Sequence, residues 1–390
     1  MSKLEELIEQ YCPDGVEYVK IGEIAQVGTG SSNGNEAIED GIYPFFVRSQ
    51  IIKKKDTYEY DEEAIIIPGE GGIGDIFHYI NGKYALHQRV YRIHFISPHI
   101  NVKFAFYYMK SAFKKFIMAK AVSSTVSSIR KPMIEGFSLP IPPLPVQEEI
   151  VRILDAFTEL QAELQAELQK RKQQYNYYRD NLLTNFTTEQ NVKEYTLGEL
   201  GTFTRGNGLQ KKDFTKEGIG CIHYGQIYTR FGAFADKTLT YVNRELASHL
   251  LQVEKGNLVI ACTSENVEDI CKSVAWLGEE NICTGGHACV FRHNQNPKYI
   301  SYFFQTEYFF NQKKKYTYGT KVKDIKPDSI AKIKIPLPSL KEQERIVSIL
   351  DNLYTLTTDL TQGLPAEIEK RRQQYEYYRD KLLTFKRKGA

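Results

Sequence analysis

Apolar residues recur at spacings of three and four along two long stretches of the chain. In the first they fall at Ile150, Ile153, Leu154, Phe157, Leu160, Leu164, Leu168, Tyr175, Tyr178 and Leu182. In the second they fall at Ile346, Ile349, Leu350, Leu353, Leu356, Leu360, Ile368, Tyr375, Tyr378 and Leu382. Such a stripe is the seam of a helix packed on another helix. Each helix is expected to run about 37 residues, or roughly 55 Å. Each follows a proline-rich entry, IPPLP or IPLPSL, that ends the preceding strand. The segment FTEL, QAEL, QAEL sets Leu160, Leu164 and Leu168 four apart, a stutter in a heptad pattern. The second stretch has extra residues around Gly363 and Pro365, which predict a break or bulge.

The remainder reads as mixed α+β. The runs EAIIIP, YPFFVR, RVYRIHFI, NLVIAC and ACVFRH have the β-branched and aromatic character of strands. FAFYYMKSAFKKFIMAK and YISYFFQTEYFFNQKKK read as one helix each.

The chain repeats itself. Residues 170–183, KRKQQYNYYRDNLL, match 370–383, KRRQQYEYYRDKLL, at all but three positions. QEEIVRILD from Gln147 matches QERIVSILD from Gln343. Ser124 to Pro142 aligns with Thr320 to Pro338, pairing Ile129 with Ile325. Weaker matches set IGEIAQVGTG on LGELGTFTRG and FFVRSQI on CIHYGQI. They also set His87 on His287, Arg92 on Arg292 and Phe106 on Tyr302. A unit present twice is not a solenoid. It implies two similar bodies about a pseudo-twofold axis, their helices packed as an antiparallel pair. Two separate helical arms are the alternative.

With 390 residues, 42% hydrophobic and 25% charged, the chain is an ordinary folded protein of two or more domains. No apolar run is long enough to span a bilayer, and MSKLEELIEQ has no signal-peptide core, so no membrane association and a cytoplasmic location are expected. Six cysteines with no CxxC pair suit free buried thiols, and Cys283, His287 and Cys289 make a weak zinc reading. Net charge is only +3, but its distribution is uneven. Residues 102–134 hold Lys103, Lys110, Lys114, Lys115, Lys120, Arg130 and Lys131 and no acid. The matching stretch has Lys313, Lys314, Lys315, Lys321, Lys323, Lys326, Lys332 and Lys334 against Asp324 and Asp328. Small hydroxyl residues accompany them: Ser124 and Thr125 in one, Thr320 in the other. This is the composition of phosphate contact.

Catalytic signals are weak. GEGGIG at 69–74 matches a dinucleotide fingerprint, but no convincing helix follows, so a tight surface loop is expected. There is no Walker A loop and no N-P-P-Y or D-P-P-Y motif. His87 and His287 read as buried, hydrogen-bonded histidines, and Asp61, Glu62 and Glu63 as a solvated turn.

Variable block, proline entry, Q-E-x-I-V-x-I-L-D helix and Q-Q-Y-x-Y-Y-R-D-x-L-L terminus, all twice, resemble the specificity subunit of type I restriction–modification systems. The variable blocks share in the resemblance through RSQI, PGEGGIGDIF and ALHQR. It implies two α/β target-recognition domains, 1–145 and 187–341, with spacer helix regions at 146–186 and 342–390. It also implies a subunit without catalysis that binds double-stranded DNA at a bipartite, asymmetric target. Partners would be two modification subunits and ATP-dependent restriction subunits. S-adenosylmethionine, ATP and magnesium would sit on those partners, with no cofactor or metal on this chain. Charge and repeat position nominate Arg48, Gln50, Arg89, Lys110, Lys114, Lys115, Lys120, Ser124, Thr125, Arg130 and Lys131 for DNA in the first domain. In the second they nominate Tyr224, Gln226, Lys313, Lys314, Lys315, Thr320, Lys321, Lys323 and Lys326. The helical seam supplies Ile150, Leu154, Phe157, Leu160, Leu164, Leu168, Tyr175, Tyr178, Ile346, Leu350, Leu353, Tyr375 and Tyr378. The competing reading is a coiled-coil scaffold that binds only proteins.

Overall fold

The β-branched and aromatic runs pair into ladders with one face on a core. The computed structural model describes residues 3–120, 128–186, 192–358 and 362–389. It divides into Met1–Leu164 with Ile368–Ala390, and Gln165–Glu367. Each unit thus includes part of both helical stretches.

In the first unit a six-stranded sheet runs Ala25–Thr29, Val90–Phe95, Tyr60–Pro68, His78–Leu86, Tyr43–Phe46, Lys53–Lys55. All neighbours are antiparallel except Tyr43–Phe46, which pairs parallel with the end of His78–Leu86. Met109, Phe113 and Ile117 of the helix Val102–Lys120 share a buried cluster with Ile65, Ile67 and Ile93. The second unit repeats this order, with Gly201–Arg205, Ala288–His293, Leu258–Ala261 and Ser273–Trp276 in sequence. Here the strand equivalent to His78–Leu86 is split. Ser273–Trp276 stays in a five-stranded sheet, while Ile282–Thr284 pairs parallel with Ile219–Ile222 in a four-stranded one. In each unit an opening strand pairs with the strand before the long helix: Tyr18–Lys20 with Ser138–Pro140, and Lys193–Thr196 with Lys334–Leu337.

The first long helix is Leu144–Thr184, and the second stretch is two helices, Leu340–Thr358 and Leu364–Leu382. In the first unit Ile150 and Leu154 share a cluster with Leu383, and the Phe157 ring lies 6.3 Å from Tyr375 and 5.7 Å from Tyr378. In the second, Leu183 shares a cluster with Ile346 and Leu350, and Tyr175 lies 6.0 Å from Tyr354. Numbers rise along one helix as they fall along the other, so the pairing is antiparallel. Leu168 is buried, and Leu160, Leu164, Leu353 and Tyr375 are half-buried. Tyr178 departs from the expected seam, being 41% exposed, whereas Tyr378, 37% exposed, keeps its ring against Phe157. A 3.6-residue turn drifts against a strict seam over this length, and Leu183 and Leu383 turn inward instead.

The repeated motif residues explain how the helices are held. Gln147 is fully buried; its oxygen accepts from Asn101 N–H at 2.8 Å, and its amide donates to the His99 and Pro142 carbonyls. Gln343, also fully buried, accepts from Asn296 N–H at 3.0 Å and donates to the Pro338 carbonyl and the Gln295 side chain. Two turns on, Asp155 takes Lys103 and the Tyr107 hydroxyl, and Asp351 takes Lys298 and the Tyr302 hydroxyl. These bonds correct the alignment: Tyr107, not Phe106, matches Tyr302.

Two further expectations change. The run 299–315 is two helices, Pro297–Phe303 and Glu307–Tyr316, because the Thr306 side chain caps the second by accepting Phe309 N–H. Asp61, Glu62 and Glu63 lie in the strand Tyr60–Pro68, not in a turn. Glu62 binds Arg92 and the Tyr84 hydroxyl there, and Glu63 accepts from Tyr79.

Replacing Gln343 by Ala leaves buried backbone groups unpaired, so thermal unfolding should show a loss of about 2–4 kcal/mol. Gln147→Ala should cost a similar amount. Glu149, bonded to Arg152 and Lys3, is held at about 2, below its ordinary 4.5. A depressed carboxylate contributes stability in full above its ordinary value and loses it as pH falls toward about 2. Glu149→Gln should therefore flatten acid unfolding between pH 4.5 and 2, measured by circular dichroism.

Candidate nucleic-acid interface

The glycine-rich segment 69–74 is a loop between Tyr60–Pro68 and His78–Leu86. Gly71, Gly72 and Gly74 take positive φ, and a Cβ on Gly74 would lie 3.1 Å from the Lys114 backbone. Glycine therefore permits both the turn and the close approach to the helix. Gly69 N–H donates to the Arg89 carbonyl at 2.9 Å, and Ile129 N–H donates to the Gly69 carbonyl at 2.7 Å. The loop thereby gathers residues distant in sequence. Glu70 takes Arg48 Nη1 at 3.0 Å and Arg89 Nη1 at 3.0 Å, and these two guanidiniums, Arg89 foremost, hold its carboxyl below the usual range. Asp75 takes Lys114 on both oxygens at 2.7 Å.

The same bonds fix the equivalent place in the second unit. Cys262 N–H donates to the His287 carbonyl, and Ile325 N–H to the Cys262 carbonyl. Gly69 thus matches Cys262, and Arg89 matches His287. Val90–Phe95 and Ala288–His293 therefore correspond two residues away from the alignment by identity. His87 and His287 are not equivalent. His87 is buried, its Nδ1 accepting from Arg89 N–H, whereas His287 is exposed. The parallel pairs Phe46 with Leu86 and Ile222 with Thr284 set Arg48 on Tyr224. Glu70 then matches Thr263. These three also meet: Thr263 Oγ1 lies 3.1 Å from His287 Nδ1, and the Tyr224 and His287 rings are 4.8 Å apart.

Beside them a hairpin is closed by the bridge between Tyr318 and Asp324, and it leaves Gly319, Thr320, Lys321 and Val322 exposed. Its base is fixed by Arg205, which binds Asp324 at 3.1 and 2.7 Å, and by the Tyr318 hydroxyl. Burial disfavours the Asp324 charge, yet Arg205 and Tyr318 hold its carboxyl below the usual range.

The remaining nominated residues divide. Gln50, Lys115, Arg130, Lys131, Lys314, Lys315 and Lys326 are exposed. Lys110 is exposed over the Phe106 ring at 5.7 Å. Lys323 Nζ donates to the Gly319 carbonyl. Ser124, Thr125 and the Lys120 side chain lie outside the described residues. Two nominations are corrected. Lys313 is 3% exposed and donates to the Glu268 and Ile270 carbonyls, so it is a core bond, not a phosphate contact. Gln226 accepts from His223 N–H and donates to Thr240, so both ends of its amide are used inside the fold. Glu70, Thr263 and Arg205 escaped the sequence reading. Among the described residues no group of three metal-ligating side chains exists, and no helix is long and apolar enough to cross a membrane.

The model of the type I restriction modification DNA specificity domain matches residues 13–171 and again 189–370. A Haemophilus influenzae protein named as a type I restriction enzyme specificity subunit is 29% identical over 98% of both chains. The EcoR124I/EcoR124II specificity subunit of Escherichia coli is 34% identical over 62% of this chain and 60% of its own. The crystal structure of the M. genitalium type I S subunit superposes with a TM-score of 0.53 at 16% identity, covering 94% of this chain and 95% of that one. A chain from work on assembly and conformational transition of the type I system gives 0.57 at 14% identity, covering 95% and 98%. With its two α/β domains and antiparallel helices, the chain belongs to the family of type I restriction–modification specificity subunits, carrying the family's DNA specificity domain twice.

Proposed function

We propose that this chain reads a bipartite, asymmetric sequence in double-stranded DNA, one half-site per domain, and carries modification and restriction subunits to it. The observation that supports this most is the pair of equivalent loop sites. Each lies at the same ladder position, yet one presents Arg48, Glu70 and Arg89 and the other Tyr224, Thr263 and His287. Equal placement with unlike chemistry suits two readers of different base sequences. The exposed lysines beside each would supply phosphate contacts and set register.

The helical pair would fix the distance between half-sites. One tetrapeptide of the FTEL, QAEL, QAEL run adds about 6 Å of helix, against about 3.4 Å per base pair. The repeated QQYxYYRD face would dock two copies of one partner. Tyr177 and Tyr377 are 66% and 64% exposed at matching positions, where no core demand explains their retention. On this reading the chain itself is not a catalyst; S-adenosylmethionine, ATP and magnesium belong to the partners, and the complex works in the cytoplasm.

Methylation mapping by single-molecule sequencing, in cells supplying the modification subunit with and without this chain, tests the reading. A bipartite motif marked in both halves only when the chain is present is expected. Absence of any motif from an assembled complex favours the protein-binding scaffold. Deleting residues 161–164 should shorten the spacer by about one to two base pairs and leave both half-sites unchanged. In binding assays across a salt series, replacing Lys314 and Lys315 together by Ala should lower affinity for all sequences and reduce the log–log salt slope by about 2. Lys313→Met should lower stability and leave that slope unchanged.

A further inference from the structure

We propose that Glu70 holds Arg48 and Arg89 as a paired guanine reader for the first half-site, and that His287 holds the matching reading position in the second. The inference rests on the DNA-reading function above and assigns the bases to particular atoms. Both arginines touch Glu70 through Nη1 alone. Among the described residues, the Nε and Nη2 of each side chain have no hydrogen-bond partner, so each keeps two parallel donors. That edge matches the O6 and N7 acceptors of guanine in the major groove. A carboxylate shared by two guanidiniums fixes their direction before DNA arrives, which lowers the ordering cost of the contact. The Arg48 and Arg89 side chains are 46% and 58% exposed, so the edges are accessible.

At the matching place in the second domain there is no fork. His287 is bonded through Nδ1 to Thr263, which leaves Nε2 as a single polar point, and the Tyr224 ring lies against its side. One nitrogen beside an aromatic face cannot make the bidentate contact that a guanidinium makes. The two half-sites therefore differ in chemistry at this position, with guanine read by arginine in the first and a single hydrogen bond in the second.

Lysine substitutions separate base reading from phosphate contact. Arg48→Lys and Arg89→Lys keep the charge and lose the fork. A phosphate contact would survive them unchanged; a guanine contact would lose the rigid fork that matches both acceptors and so would discriminate less sharply. In methylation mapping, each should relax discrimination at one guanine of the first half-site by roughly 5- to 150-fold and leave the second half unchanged. His287→Ala should relax one position of the second half only. Where a variant writes no methyl marks, competition binding of the assembled complex to duplexes altered at each base gives the same profile. An unchanged first-half motif in the Arg48→Lys, Arg89→Lys double variant, or relaxation in the wrong half, overturns the assignment while the bipartite reading stands. A wild-type chain that directs no bipartite motif overturns the reading beneath it.

Discussion

Everything in each unit hangs on one buried side chain at the head of a helix. Gln147 and Gln343 fasten the first turn of the long helices to the loop that closes the sheet, and Asp155 and Asp351 repeat the attachment two turns on. A fully buried amide with its groups paired is strongly specified, because each lost partner strands another polar group. The start of each helix is thereby tied to the direction of its sheet, and the loops at the sheet's edge inherit that direction. The attachments recur with the same chemistry in both units, although the strands between them share few residues.

The helical parts of this arrangement were legible because helix packing writes a regular stripe and because 170–183 and 370–383 are nearly the same sequence. The strands were legible as segments but not in register. Identity matched His87 to His287, whereas the ladders match His287 to Arg89. Insertions between strands change the offset, and a hydrogen-bond ladder, not residue identity, decides which side chains share a place. The equivalence of Arg48, Glu70 and Arg89 with Tyr224, Thr263 and His287 was invisible for the same reason, since no residue type is common to the two sets.

Two errors of nomination had signals that could have prevented them. Lys313 follows buried Phe309 by four residues and so lies on the inward stripe of its helix. His223 and Gln226 have the spacing of a capping pair, with the His223 side chain accepting Gly225 N–H and Gln226 returning to His223 N–H. Charge and amide character suggested outward-facing groups at both positions. Local helical geometry turned them inward.

The carboxylate shared by Arg48 and Arg89 lies in solvent, on a loop that the ladders hold in place. Exposed ion pairs of this kind contribute little to stability. Their residues can be exchanged with little effect on folding, while the attachments at Gln147 and Gln343 cannot. Selection acting on a population of such chains therefore meets almost no thermodynamic resistance where meaning is encoded and strong resistance where the frame is encoded. A lineage can change its vocabulary without relearning how to fold.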